Sequence, residues 1–170
     1  EFAERAHEGV YRKGTKIPYI THPMETAAIV TAFTNEPEMI AAALLHDVIE
    51  DAGVTKEELE EKFGSRVAFL VESESEDKSR SWMERKGTTV EHLKSATRDE
   101  KILALADKLS NIRSTVRDYL VLGDEVWQRF NQKDKEMQGW YYKGVAEALK
   151  EFKGHIYYEE YLMLCKKIFG

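Results

Sequence analysis

"ALLHDVIEDA", residues 43–52, sets four ionisable side chains, His46, Asp47, Glu50 and Asp51, among alanine, leucine, valine and isoleucine. Such a segment reads as a buried helix, and a buried charge is costly unless it is paired or bound to a metal. On a wheel of about 100° per residue, the four fall within an arc of roughly 140°. Apolar residues cover nearly all the other directions, so the four groups are expected to face an interior cleft rather than open solvent. Adjacent His and Asp suit a single cation, one through a ring nitrogen and the other through oxygen. Two more carboxylates one turn later exceed what a simple ion pair needs.

Two other places complete the pattern. His22 stands in "THPME", where the following proline restricts the backbone. Asp107 stands in the apolar stretch "ILALADKLSN", with Asn111 four residues on and Ser114 seven on, all sharing one helical face. His22, His46, Asp47 and Asp107 form a nitrogen and oxygen donor set without sulfur. That set suits a divalent ion such as Mn, Fe or Zn, with positions left open for water or substrate. Each piece also has a plain structural reading: Asp107 could pair with Lys108 or Arg113, and His22 could cap a helix. Taken together, in helices this apolar, ligation is the better account.

The rest of the chain narrows the function classes. Its 170 residues fit one domain, and 42% hydrophobic with 33% charged residues is the balance of an ordinary globular protein. No apolar run approaches the length that spans a bilayer, and no signal-peptide pattern is visible. Cys165 is the only cysteine, which rules out an internal disulfide and a thiolate metal site. A cytoplasmic location is the simple inference. The formal net charge of −6 argues against non-specific nucleic-acid binding, which relies on a basic surface. It leaves room for an anionic small molecule, because a divalent cation and a few local Lys or Arg reverse the field at one site.

Nearly everything reads as helix: there are three prolines and no sustained strand alternation. Residues 1–12 look helical, and Pro23 is expected at the first position of a helix reaching about residue 33. "NEP" precedes the helix of the opening motif. "TKEE", residues 55–58, has the capping-box form and starts a short helix ending near "FGS". The polar stretch "SESEDKSRSWMERKGTT" is expected to be a mobile loop, or helix ends around one. A long helix follows around "DEKILALADKLSNIRSTV", then a break at Gly123, a helix through "GWYYKGVAEALKEF" and a last one in "YYEEYLMLCKKIF". The fold class is therefore all-α, a helical bundle forming a single domain over residues 1–170.

With these elements placed, the sequence resembles the HD-domain metal-dependent phosphohydrolases. Within them it is similar to the alarmone hydrolases, both the hydrolase domain of RelA/SpoT-type proteins and the small stand-alone enzymes. The matching stretches are "AHEGVYRKGTKIPYITHP", "AAALLHDVIEDAGVTKEEL", "FGSRVAFLVE", "SEDKSRSWMERK" and "LALADKLSNIRS", covering most of residues 3–115. "WYYKGVAEAL" further resembles small bacterial members. The resemblance implies an HD-domain helical bundle with one Mn²⁺ held by His22, His46, Asp47 and Asp107, although the donor set also accepts Fe²⁺ or Zn²⁺. It implies that Glu50 and Asp51 position and activate the attacking water. That water would cleave the 3′-pyrophosphate from guanosine 3′,5′-bis(diphosphate), ppGpp, giving GDP and pyrophosphate. Arg12 and Lys13 match a basic pair near the guanine base. Asn111 and Ser114 match contacts in the nucleotide sugar region, and Tyr141 an aromatic residue lining the pocket. The "RKGTKIPYITH" loop is one residue longer than in the long enzymes.

The chemistry agrees with such a reaction. A metal lowers the pKa of bound water from about 15.7 toward about 7, and a neighbouring carboxylate then accepts a proton or orients the nucleophile. Glu50 and Asp51 have a second reading, as outer partners of the metal-bound histidines. Two rival functions remain: a phosphatase for another nucleotide, NADPH or a deoxynucleotide, and a nucleotide sensor without turnover. Lys78, Arg85 and Lys86 could meet phosphates from a flap, but a solvated charged loop is the plainer reading. Trp82, Trp127 and Trp140 read as core and rim aromatics, His7 as packing or surface, His92 and His155 as solvent-facing, and Cys165 as a buried small residue. The partner expected is a small nucleotide, with neither nucleic acid nor membrane; no oligomeric state follows from the residues.

Overall fold

The computed structural model describes residues 1–170, and its regular structure is helical apart from one isolated bridge between Tyr11 and Pro18. Two compact units are formed by the chain. The first comprises Glu1–Glu76 with Thr97–Asp107, and the second Asp77–Ala96 with Lys108–Gly170. No helix is long and apolar enough to cross a membrane.

The first unit contains α1 (Phe2–Ala6), α2 (Thr21–Val30), α3 (Pro37–Leu45), α4 (Val48–Ala52), α5 (Lys56–Phe63) and α6 (Ser65–Glu74). It also holds the first part of α8 (Arg98–Leu122). Helix α3 packs on α2 and α6, and α5 packs on α6. Ile29, Val30, Met39, Ala42, Leu59, Leu70, Val71 and Leu103 are buried in this unit. Close packing of such side chains supplies the main favourable term in folding.

The opening helix is shorter than the expected span of residues 1–12. It ends at Ala6, and Gly9 takes φ 76, a left-handed turn that glycine enters without a Cβ clash. Past that turn the chain folds back on itself, with the Arg12 amide donating to Ile17 O and the Tyr19 amide to Val10 O, both at 2.9 Å. Helix α2 starts at Thr21, so Pro23 occupies its third position rather than its first. A proline is tolerated there because first-turn amides have no intrahelical acceptor. The helix stops at Val30, short of residue 33, in a tighter turn where the Phe33 amide reaches Val30 O.

The opening motif is not one helix. α3 ends at Leu45, α4 starts at Val48, and His46 and Asp47 form the junction. The His46 ring donates from Nδ1 to Ala43 O at 2.9 Å, the carbonyl that an unbroken helix would offer to the Asp47 amide. Asp47 sits at φ −97, ψ −5, and its own carbonyl receives the Asp51 amide at 2.9 Å, which restarts the helix. The wheel reading of four groups on one continuous face therefore fails, although all four residues lie in or beside helix.

The second unit contains α7 (Trp82–Ser95), the rest of α8, α9 (Lys135–Ala148) and α10 (Ile156–Phe169). Most of the stretch read as a polar loop is thus helix α7, begun by a complete capping box between Ser81 and Glu84. At Thr55 the side chain accepts from the Glu58 amide and caps α5. Helix α9 packs against α7 and α10 through its two glycines. A Cβ at Gly144 would meet Val90 at 3.1 Å, and one at Gly139 would meet Phe169 at 3.2 Å. The Tyr158 and Tyr161 hydroxyls donate to Ala146 O and Tyr142 O, tying α10 to α9. Trp127 is buried, Trp82 half-buried and Trp140 exposed, as core and rim aromatics should be. Cys165 is buried and His92 exposed as read, whereas the His155 side chain caps α10.

Candidate metal centre

Helix α2 delivers His22, the α3–α4 junction delivers His46 and Asp47, and α8 delivers Asp107. All four belong to the first unit. His22 Nε2 lies 3.0 Å from Asp107 Oδ1 and 3.4 Å from Asp47 Oδ2. His46 Nε2 lies 3.0 Å from Asp47 Oδ2, 3.6 Å from Asp107 Oδ1 and 3.1 Å from His22 Nε2. His22, His46 and Asp107 are 2%, 1% and 5% exposed, so the cluster is closed to bulk water on most sides.

The tautomer of His46 follows from its surroundings. Ala43 O only accepts, so Nδ1 carries a hydrogen, and neutral His46 turns the Nε2 lone pair toward His22 and the two carboxylates. Three acceptors, His46 Nε2, Asp47 Oδ2 and Asp107 Oδ1, then converge on His22 Nε2, the one atom of the four that can carry a hydrogen while both rings are neutral. Burial opposes a charge on His46, but the Asp47 carboxylate and hydrogen bonds to Asp107 and Asp47 outweigh it, raising the His46 pKa well above 6.5. Burial likewise opposes ionised Asp47, yet the His46 charge and the His22 hydrogen bond hold its pKa well below 3.8. A divalent cation meets the same demand as that proton and satisfies both carboxylates at once. The donor set therefore fits a metal: His22, His46 and Asp107 bring ligand atoms within 4.8 Å of one another, with Asp47 beside them.

The plain reading of His22 as a helix cap does not hold. Arg113 pairs with Glu160, its Nη2 2.6 Å from Oε2. His22 lies inside α2 facing the carboxylates and is not its cap. Glu50 and Asp51 lie in the first turn of α4, Glu50 half-buried and Asp51 exposed. Arg12 is half-buried with its guanidinium 5.6 Å from the Tyr19 ring, and Lys13 is exposed. Asn111, Ser114 and Tyr141 belong to the second unit. There the Ser114 hydroxyl accepts from Arg117, and Tyr141 is buried beside Trp82. Lys86 is on α7, its ammonium 4.9 Å from the Tyr141 ring, rather than in a solvated loop.

One residue at the centre was not singled out by sequence: Tyr19. Its hydroxyl donates to Asp47 Oδ2 at 2.7 Å. Burial and the Asp47 charge raise its pKa, so it stays a donor at any ordinary pH. Its spacing of three before His22 was the available signal, but a loop tyrosine carries no periodicity to mark it.

An all-helical chain with this buried two-histidine, two-carboxylate centre is a metal-binding hydrolase fold. The HD domain family matches residues 1–133, and the chain belongs to that family. It is 35% identical over 156 residues to the Xenopus tropicalis guanosine-3′,5′-bis(diphosphate) 3′-pyrophosphohydrolase MESH1, covering 90% of this chain and 82% of that protein. Among solved structures it is similar to lmo0812 from Listeria monocytogenes EGD-e, with TM-score 0.80 and 34% identity over 87% of this chain and 98% of that one. A metazoan ortholog of SpoT, described as hydrolysing ppGpp, matches with TM-score 0.81 and 27% identity over 98% of this chain and 90% of that one.

Proposed function

We propose that this chain is a metal-dependent pyrophosphohydrolase that converts ppGpp and water to GDP and pyrophosphate. The observation carrying this reading is the convergence of His22, His46, Asp47 and Asp107, in a chain similar over nine-tenths of its length to a hydrolase of that nucleotide. Those four residues would hold the ion, and Mn²⁺ is our choice among the divalent cations the donors accept. Once bound, the ion supplies positive charge that acidifies nearby water and offsets charge developing on phosphoryl oxygens.

The protein's own groups do the rest. Glu50 and Asp51, one turn after the ligand pair, orient the attacking water and take its proton. The bond between the 3′-oxygen and its phosphorus breaks, and that oxygen gains a proton to become the ribose hydroxyl of GDP. Arg12 and Lys13 receive the guanine base, Asn111 and Ser114 the sugar region, and Tyr141 lines the pocket. In this reading residues 1–170 act as one HD phosphohydrolase domain in the cytoplasm, on a free nucleotide rather than on nucleic acid.

The test is turnover of ppGpp by metal-free protein reconstituted with Mn²⁺, with the products separated by anion exchange. GDP and pyrophosphate in equal amounts are expected. Bound Mn²⁺ without pyrophosphate release would overturn the substrate and leave the metal centre standing, with NADPH and deoxynucleotides next in the panel. Binding of ppGpp without any product would instead mark a sensor.

A further inference from the structure

We propose that Tyr19 is a positioning residue for the metal ligand Asp47, holding the carboxylate oxygen that faces both histidines. The inference rests on the metal-centre reading and not on the identity of the substrate. Its geometric basis is that Asp47 Oδ2 accepts the Tyr19 hydroxyl at 2.7 Å and is also the oxygen 3.0 Å from His46 Nε2 and 3.4 Å from His22 Nε2. One oxygen is thus fixed from the protein side while its remaining lone pair points into the cluster.

The tyrosine is itself held on several sides. Its backbone amide donates to Val10 O at 2.9 Å, within the folded-back loop that carries Arg12 and Lys13. Its ring stacks on His7, with centroids 4.8 Å apart and planes at 27°. His7 is in turn fixed by a 2.9 Å hydrogen bond between Nδ1 and Ala3 O. The opposite constraint is His22, whose ring meets Tyr19 edge-on at 5.8 Å. A side chain so confined loses little further freedom in holding Asp47, so the carboxylate is oriented before any ion arrives.

A bland account is available: a half-buried tyrosine turns its hydroxyl to the nearest acceptor, and the ring supplies the stability. Tyr19→Phe separates the two, because it keeps every ring contact and deletes only the hydroxyl. The measurement is calorimetric titration of the metal-free full chain with Mn²⁺, paired with the electron paramagnetic resonance spectrum of the bound ion. Partners of this kind typically change metal affinity by about 10–100-fold, so Tyr19→Phe is expected to weaken Mn²⁺ binding by at least about tenfold. The resonance pattern should change, since it reports ligand symmetry, while the metal-free protein still melts cooperatively, lowered only by the lost hydrogen bond. Tyr119→Phe, on α8 twelve residues beyond Asp107, serves as the control and should alter neither reading. Wild-type affinity and an unchanged spectrum in Tyr19→Phe would overturn the role of Tyr19 alone. Absence of Mn²⁺ binding by the wild-type chain would overturn the metal centre itself, and with it this assignment.

Discussion

His46 Nε2 and Asp47 Oδ2 stand 3.0 Å apart and face one point, although neighbours on an unbroken helix point about 100° away from each other. The break between α3 and α4 makes this possible. It also places the ring nitrogen bonded to Ala43 O away from the cluster, so only the lone-pair nitrogen faces inward. The ligand set is therefore shaped by a local failure of helical structure within a helical protein.

Removing a ligand should remove the ion. His46→Ala and Asp107→Ala are each expected to abolish Mn²⁺ binding in a calorimetric titration and to reduce turnover to background. Retained stoichiometric binding in either variant would mean that the ion sits elsewhere.

Glu50→Gln asks a different question, because Glu50 lies on α4 beyond the junction. A lost proton acceptor typically costs about 10²–10⁴-fold in rate, so the variant should bind one Mn²⁺ while kcat falls by that order. Near-normal kcat would return Glu50 to an outer supporting role.

The pH dependence has a definite sign. His46 titrates well above 6.5 in the folded metal-free protein, so its stabilisation is complete below 6.5 and is lost as pH rises through the raised value. Asp47 titrates well below 3.8, so its share is present above 3.8 and is lost only as pH falls through the lowered value. A divalent ion held by His46 would displace the His46 proton, so the ion's apparent affinity should grow as pH rises. The gap in melting temperature between loaded and metal-free protein should widen from about pH 6 to about pH 8. A constant gap would contradict the assignment of His46 as a ligand.

Cys165 is expected to be unreactive in the folded chain. Burial pushes its thiol up to about 12, leaving about one thiolate in ten thousand at pH 8. Mass spectrometry after iodoacetamide should find it unlabelled until the protein is denatured.

The two glycines of α9 predict a similar cost for an added methyl group. Alanine gains about 1 kcal/mol of helix propensity over glycine, whereas overpacking costs about 1–3 kcal/mol. At Gly144 the new methyl would press on branched Val90, and Gly144→Ala should destabilise by about 1 kcal/mol. At Gly139 it meets the Phe169 ring, itself packed on Trp127 and Tyr142, so Gly139→Ala should also destabilise by about 1 kcal/mol. Chemical denaturation of the two variants provides the comparison.

Helix content and ligand chemistry were legible in the residues themselves. Apolar periodicity around "ILALADKLSN", the scarcity of proline and the presence of His and Asp where apolar residues belong are local features. They singled out His22, His46, Asp47 and Asp107 as candidate ligands without reference to distance. The capping box at Ser81 and Glu84 was equally visible, since "SWME" has the same form as "TKEE", but the charged residues around it masked the pattern. Charge alone does not prevent a helix whose other face finds a partner, and α7 finds one in α9.

What the sequence determined by itself was therefore the set of chemical groups and the helical class, because both follow from residue type and short-range spacing. Tertiary structure decided where those groups meet. It broke the central motif at His46 and Asp47, brought α2 and α8 to the same point, and set a loop tyrosine against Asp47. Such placements depend on packing between segments remote along the chain, and no window of sequence contains the distances that packing creates.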